Sequence, residues 1–167
     1  MSQLHKYFKS WKYITSRDIY KDMHSEKKVY CDNLLVPFEE SKYIVFSSCL
    51  FLIPTVYAFV KEYYIIASSG TIVTIVSINY WRECKLSVHR DCDLVVSKMM
   101  CGVGCWLFLT NIQNNYDYLV FIILFVTANQ LYNNALFKNI HWIKYHILFH
   151  CILSFSALLT VYKMSNI

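Results

Sequence analysis

The sequence is poor in charge and in the two residues that most often shape turns. Of its 167 residues, 16% are charged, 3 are glycine and 2 are proline. A soluble domain carries about a quarter charged residues, so this composition argues against a protein surrounded by water. Apolar residues make up 56% of the chain and aromatic residues 17%. Long apolar runs with so little charge are typical of a polytopic membrane protein.

Several kinds of site are missing from the sequence. It contains no P-loop, dinucleotide fingerprint, nucleophile elbow or zincin helix. It has no nucleic-acid-binding motif, so we expect no nucleic-acid partner. No secretory signal precedes the first apolar run, and we expect that run itself to direct insertion. The 7 cysteines are odd in number and lack the spacing of a disulfide framework, so we expect them to be reduced.

The charge that is present is concentrated at the start of the chain. Residues 1–42 hold 8 of the 16 Lys and Arg and 6 of the 11 Asp and Glu. Four apolar residues recur there at helical spacing, with lysines between them. The apolar residues are Leu4, Phe8, Trp11 and Ile14. Two interpretations fit this basic, partly amphipathic arm. It is either a short helix on the inner membrane surface or a solvated tail that obeys the positive-inside rule.

Five apolar runs have the length of a membrane-spanning helix, which is about 17–25 residues. They cover residues 43–60, 63–80, 94–110, 118–137 and 143–162. The first two are joined by Lys61 and Glu62 alone, which predicts a tight antiparallel hairpin. The sequence therefore predicts an all-α, polytopic transmembrane helix bundle of about five spans over residues 43–163, preceded by the cytoplasmic arm.

Loop charge predicts the orientation of this bundle. With the N-terminus inside, 13 of the 16 Lys and Arg lie on the inner side and 2 on the outer side. Positive residues accumulate in cytoplasmic segments. We therefore expect the N-terminus inside and the C-terminus outside.

Polar residues gather in the inner half of four predicted spans. Lipid-facing polar groups are costly, so we expect these side chains to face one another across the bundle interior. They are Ser77, Asp93, Ser97, Asn129, Gln130, Asn133, Asn134, His146 and His150.

Two interpretations of this polar layer are open. Its members hold the helices together by hydrogen bonds, as such residues commonly do in membranes, or they bind a metal. His146 and His150, in the stretch HILFH, lie four residues apart and share one helix face, which is a geometry suited to metal ligands. Asp93 is then the best third ligand and His89 the fourth, since catalytic zinc usually takes three protein ligands.

The order of Ser77, Asp93 and the HxxxH of HILFH resembles the superfamily of alkaline ceramidases, adiponectin-type receptors and Per1-like lipid-remodelling proteins. The resemblance implies zinc on His146 and His150 and hydrolysis of a lipid amide or ester. It implies catalytic roles for Asp93 as general base and Ser77 as donor to the developing oxyanion. The sequence departs from the family in having Trp81 where a third zinc-binding histidine stands, and five predicted spans in place of seven.

The composition also resembles that of short Asn-, Ile-, Lys- and Tyr-rich membrane proteins encoded by large DNA viruses. The predicted function is a degenerate zinc-dependent, lipid hydrolase-like membrane bundle, with membrane lipid as its partner. The alternative is a non-catalytic structural or interaction protein, such as a viral envelope or organelle membrane subunit, in a homo- or hetero-oligomer. A transporter is disfavoured because the sequence has no inverted repeat.

Overall fold

The computed structural model describes residues 35–85, 87–136 and 141–166. Most of the predicted N-terminal arm, residues 1–34, lies outside the described residues. The elements of the described part are helical, which confirms the predicted all-α bundle. They are α1 (Phe38–Ser48), α2 (Leu52–Val60), α3 (Tyr64–Arg82), α4 (Val88–Thr110), α5 (Asn115–Leu136) and α6 (Trp142–Met164), with a 3₁₀ turn (Cys49–Phe51) joining α1 to α2.

The helices coincide with the five predicted apolar runs. Among the described residues, three are long and apolar enough to cross a membrane: the continuous segment Phe38–Val60, α4 and α6. Each has 23 residues, or about 34 Å of helix. The helices α3 and α5 are of similar length, with 19 and 22 residues, but hydroxyl and amide side chains lower their hydropathy. Length and composition therefore support three of the five predicted spans.

A proline sets the join between α1 and α2. Pro54 has no backbone N–H, so the carbonyl of Leu50, four residues earlier, loses its helical partner. The chain passes through the 3₁₀ turn at this point. The freed carbonyl accepts a hydrogen bond of 2.7 Å from the Ser154 hydroxyl on α6. An unsatisfied backbone group in a membrane costs several kcal/mol, so this bond ties α6 to the bend.

Small side chains bring the α1–α2 segment close to α3. The buried face of α1 and α2 consists of Ser41, Ile44, Ser48, Thr55 and Ala58, and that of α3 includes Ala67, Thr74, Ser77 and Trp81. A Cβ atom built on Gly70 would lie 2.1 Å from the Thr55 Oγ1, so only glycine fits this crossing. Small residues allow close helix approach in membranes. The face of α3 that packs is therefore the one that carries Gly70, Thr74, Ser77 and Trp81.

The predicted hairpin between the first two runs is present. Glu62 adopts a left-handed conformation with φ of 64°, and the Tyr63 N–H donates to the Ala58 carbonyl over 2.9 Å. This pattern closes a helix C-terminus and reverses the chain. It sets α3 antiparallel to the α1–α2 segment.

The helix α6 lies at the centre of the bundle. It contacts α1, α2, α4 and α5, whereas α4 and α5 touch each other only slightly. Two contacts fasten its C-terminal end: Lys163 forms an ion pair with Asp117 on α5, and the Tyr63 hydroxyl donates to the Met164 carbonyl over 2.8 Å. Side chains from four helices consequently meet along α6.

Candidate functional site

The candidate site is a layer of buried polar side chains toward the end of the bundle at which α3 ends and α6 begins. Its members come from four helices and are at most 8% exposed. They are Ser47 and Ser48 of α1, Ser77 of α3, Asp93 of α4 and His150 of α6. Three of the five, Ser77, Asp93 and His150, are residues that the sequence singled out.

His150 is held by α1. Its Nδ1 lies 2.8 Å from the Ser47 Oγ, and the Phe51 ring packs at 5.1 Å from the imidazole. The Ser47 hydroxyl also donates to the Ile44 carbonyl over 3.0 Å. Because a hydroxyl carries one proton, the Ile44 bond makes Ser47 the acceptor toward His150. The Nδ1 of His150 then carries the ring proton, and the imidazole is fixed in one tautomer.

Ser77 connects α3 to both α1 and α4. Its Oγ lies 3.0 Å from the Ser48 Oγ, and Ser48 donates to the same Ile44 carbonyl over 2.9 Å. The Asp93 carboxyl group lies close to the Ser77 hydroxyl and accepts a bond of 3.5 Å from the Ser97 hydroxyl. The structure therefore brings the predicted pair Ser77 and Asp93 together and links it, through α1, to His150.

His146 is enclosed by aromatic rings. Its ring centroid lies 4.7 Å from that of His150 and 4.8 Å from that of Trp81, which meets it edge-on. Trp81 stacks in turn on Trp142 at 6.1 Å. The indole Nε1 of Trp81 is buried and has no hydrogen-bond partner within the described residues, and the same is true of the Ser41 hydroxyl. Trp81 thus fills the space beside the histidine pair with an apolar ring.

These residues do not fit the zinc that the resemblance implies. Within residues 35–85, 87–136 and 141–166, no three His, Cys, Asp or Glu side chains lie close enough to hold a metal ion. Zinc sites normally use three or four protein ligands. The expected third ligand, Asp93, interacts with serines. The expected fourth, His89, is exposed and bonded to Asn79 at 3.0 Å. Trp81 offers a donor N–H and no ligand atom.

An apolar cluster closes the edge of the layer near the end of α3. It consists of Val36, Ile44, Tyr80, Trp81 and Cys84. Burial raises the pKa of the Cys84 thiol to about 11. The thiol is therefore protonated at neutral pH and behaves as a small apolar side chain. The cysteines of the described residues are free thiols.

Sequence reasoning missed Ser47 and Ser48. Both are buried, and together they carry the hydrogen bonds that join α1 to α3 and α6. The signal was present: the pair interrupts the apolar run of the first span, as the two histidines interrupt the last. Its importance depends on the antiparallel register of α1 and α3, which places Ser48 beside Ser77.

The prediction that the amides of the fourth span face the bundle interior is wrong for Asn129 and Gln130. Both side chains are exposed on the outer surface of α5. The helix packs through its aromatic face, where Phe121 meets Phe108 of α4 and Tyr132 meets Phe149 of α6. That face buries more apolar area than an amide face would, and it turns the amides outward.

No family model matches the chain, and neither the curated proteins nor the solved structures include one that is significantly similar to it. The fold and the polar layer are therefore the observations on which a function can be argued.

Proposed function

We propose that the chain is a multi-pass integral membrane protein that crosses the bilayer five times, with its N-terminus inside. Three helices have the length and apolarity of spans. The helices α3 and α5 pack against them, and their lengths of about 28 and 33 Å match a hydrocarbon core of about 30 Å. The 13-to-2 distribution of Lys and Arg supports the orientation.

Within that membrane protein, the polar layer acts as a structural device and not as a catalytic centre. The observation that carries this proposal is the hydrogen bond between His150 and Ser47. That bond uses the Nδ1–H of His150 to join α6 to α1, and within the described residues no third metal-binding side chain lies beside the histidine pair. The protein is then a structural or interaction component of its membrane, such as an envelope or organelle membrane subunit.

A lipid hydrolase related to the alkaline ceramidases is the second candidate. The closeness of Ser77 to Asp93 favours it, because that pair is the one which the resemblance assigns to catalysis. Its substrate would be a membrane lipid. The indole of Trp81, where the family has a third histidine, and the lack of a third ligand among the described residues favour the structural function over this one.

A double-mutant cycle on Ser47 and His150 tests the structural function. We expect Ser47→Ala and His150→Leu to lower the free energy of unfolding in detergent. We also expect a coupling energy between them of about 0.6–1.7 kcal/mol, the range for interhelical hydrogen bonds in membrane proteins. Unfolding by a denaturing detergent, followed by circular dichroism, gives the four free energies.

The matched control is the pair Ser47→Ala and Ser97→Ala, because Ser97 bonds to Asp93 and shares no partner with Ser47. The changes in the free energy of unfolding caused by these two substitutions should add to within about 0.5 kcal/mol. A coupling energy near zero for Ser47 and His150, with stability unchanged in both single variants, would contradict the structural function.

A further inference from the structure

The outward face of α5 carries side-chain amides that nothing in the fold uses. Asn129 and Gln130 are exposed and Asn133 is half-buried. The spacing of the three places them on one side of the helix. Within the described part of the chain, their carboxamides have no hydrogen-bond partner. The outer half of the same face is apolar, with Ile122, Ile123 and Val126 more than half exposed.

The depth of these amides follows from a ring contact. Tyr132, beside Asn133, packs on Phe149 of α6 with ring centroids 5.4 Å apart. Phe149 is seven residues from Trp142, where α6 begins, and therefore lies about 10 Å along the helix. The amides are then level with His146 and His150. Given the membrane placement proposed above, they lie inside the hydrocarbon layer.

Exposure at this depth is energetically unfavourable. A carboxamide without a hydrogen-bond partner costs several kcal/mol in an apolar medium. Asn and Gln are too short to reach the interface from about 10 Å, unlike Lys or Arg. Residues such as Ile122 and Val126 suit a lipid contact, whereas the amides do not. A polar surface has to cover them.

We propose that this amide face, formed by Asn129, Gln130 and Asn133, binds the same face of a second copy of the chain. Each carboxamide carries donors and an acceptor, so an identical face satisfies it across a two-fold axis. An apolar partner would leave the amides unpaired, and a charged one would match only their donors or only their acceptor. Two copies inserted in the same orientation would pair their α5 helices in parallel. Asn and Gln side chains are known to join transmembrane helices in this way.

Single-molecule photobleaching of the full chain in liposomes at high lipid excess tests the proposal. With one fluorophore per chain, we expect two bleaching steps for the wild type. The variant Asn129→Leu/Gln130→Leu/Asn133→Leu should bleach in one step, with the dimer fraction at least tenfold lower. Leucine suits both a lipid contact and a helix, and circular dichroism checks that the helices remain. If the triple variant does not fold, the single variant Asn133→Leu replaces it in the experiment. It should also lower the dimer fraction.

The control is Asn79→Leu, because Asn79 lies on α3 and bonds to His89. It should stay dimeric. A wild type that bleaches in one step would overturn the proposal, as would a leucine variant that dimerises like the wild type or a control that dissociates. Extraction of the protein from membranes by alkaline carbonate would instead contradict the proposed membrane placement, so the two failures are distinguishable.

Discussion

At the scale of single residues, Pro54 and Ser154 form a complementary pair. The proline removes the N–H that would bond to the Leu50 carbonyl, and the serine supplies a hydroxyl at 2.7 Å. In water, solvent would satisfy such a carbonyl. In a membrane it needs a protein partner, and here that partner comes from a helix more than a hundred residues later.

We expect Ser154→Ala to destabilise the protein by about 1–3 kcal/mol, the cost of leaving a buried acceptor unpaired. The matched control is Ser156→Ala, because the Ser156 hydroxyl bonds within its own helix to Ile152 and its loss should change stability by at most about 0.5 kcal/mol. Unfolding in a denaturing detergent measures both. Equal effects of the two substitutions would show that the Leu50 carbonyl does not depend on Ser154.

Trp81, which lies beside the polar layer, determines what the histidine pair contacts. Its ring meets His146 edge-on and stacks on Trp142. A histidine at the same position would offer a third nitrogen near the pair. One side chain of α3 therefore decides whether the histidine pair has an indole ring or a third nitrogen beside it.

At the scale of elements, the crossing of α2 and α3 depends on Gly70. A Cβ atom there would lie 3.3 Å from the Thr55 Cβ and still closer to its hydroxyl. That hydroxyl is held by a bond of 2.7 Å to the Phe51 carbonyl. The two helices must separate, or Thr55 must break its bond, before a methyl group can enter.

We expect Gly70→Ala to lower the free energy of unfolding by about 1–3 kcal/mol, the usual cost of overpacking. The double variant with Thr55→Ala should recover most of that loss, because the clashing hydroxyl is gone. Gly102→Ala is the control: a Cβ at Gly102 meets nothing within 4 Å, and alanine should stabilise the helix by about 0.5–1 kcal/mol. Additive effects of Gly70→Ala and Thr55→Ala would contradict the close crossing.

The hydropathy pattern predicted every described helix, but it did not predict where two of them begin. The first span was expected from residue 43 and the third from residue 94, whereas the helices begin at Phe38 and Val88. The reason is that acidic residues occupy the first turns, Glu39 and Glu40 in α1 and Asp91 in α4. Such residues stabilise a helix N-terminus although they end an apolar run.

The direction in which a polar residue points was harder to predict than its depth. Depth follows from counting residues along a helix. Direction depends on which face packs, and α5 packs through Phe121 and Tyr132. Nothing in the α5 sequence alone ranks that aromatic face above the amide face. Ser77, by contrast, was expected to face the bundle interior, and it is buried there on the small-residue face of α3.

At the scale of the whole molecule, α6 joins the bundle at both ends. In its N-terminal half, His150 bonds to Ser47 of α1. At its C-terminal end, Lys163 pairs with Asp117 of α5, and the Tyr63 hydroxyl bonds to the Met164 carbonyl. The polar groups of α6 are thus used to position neighbouring helices, which is the role we propose for the layer as a whole.

The most direct test of this account is the metal content of the intact protein purified in mild detergent, measured by mass spectrometry beside His146→Ala/His150→Ala. The account predicts far less than one zinc per chain in both proteins, together with a lower free energy of unfolding in the variant. Near-stoichiometric zinc in the wild type that is lost in the variant would contradict it, and would make His146 and His150 the ligands of a metal centre.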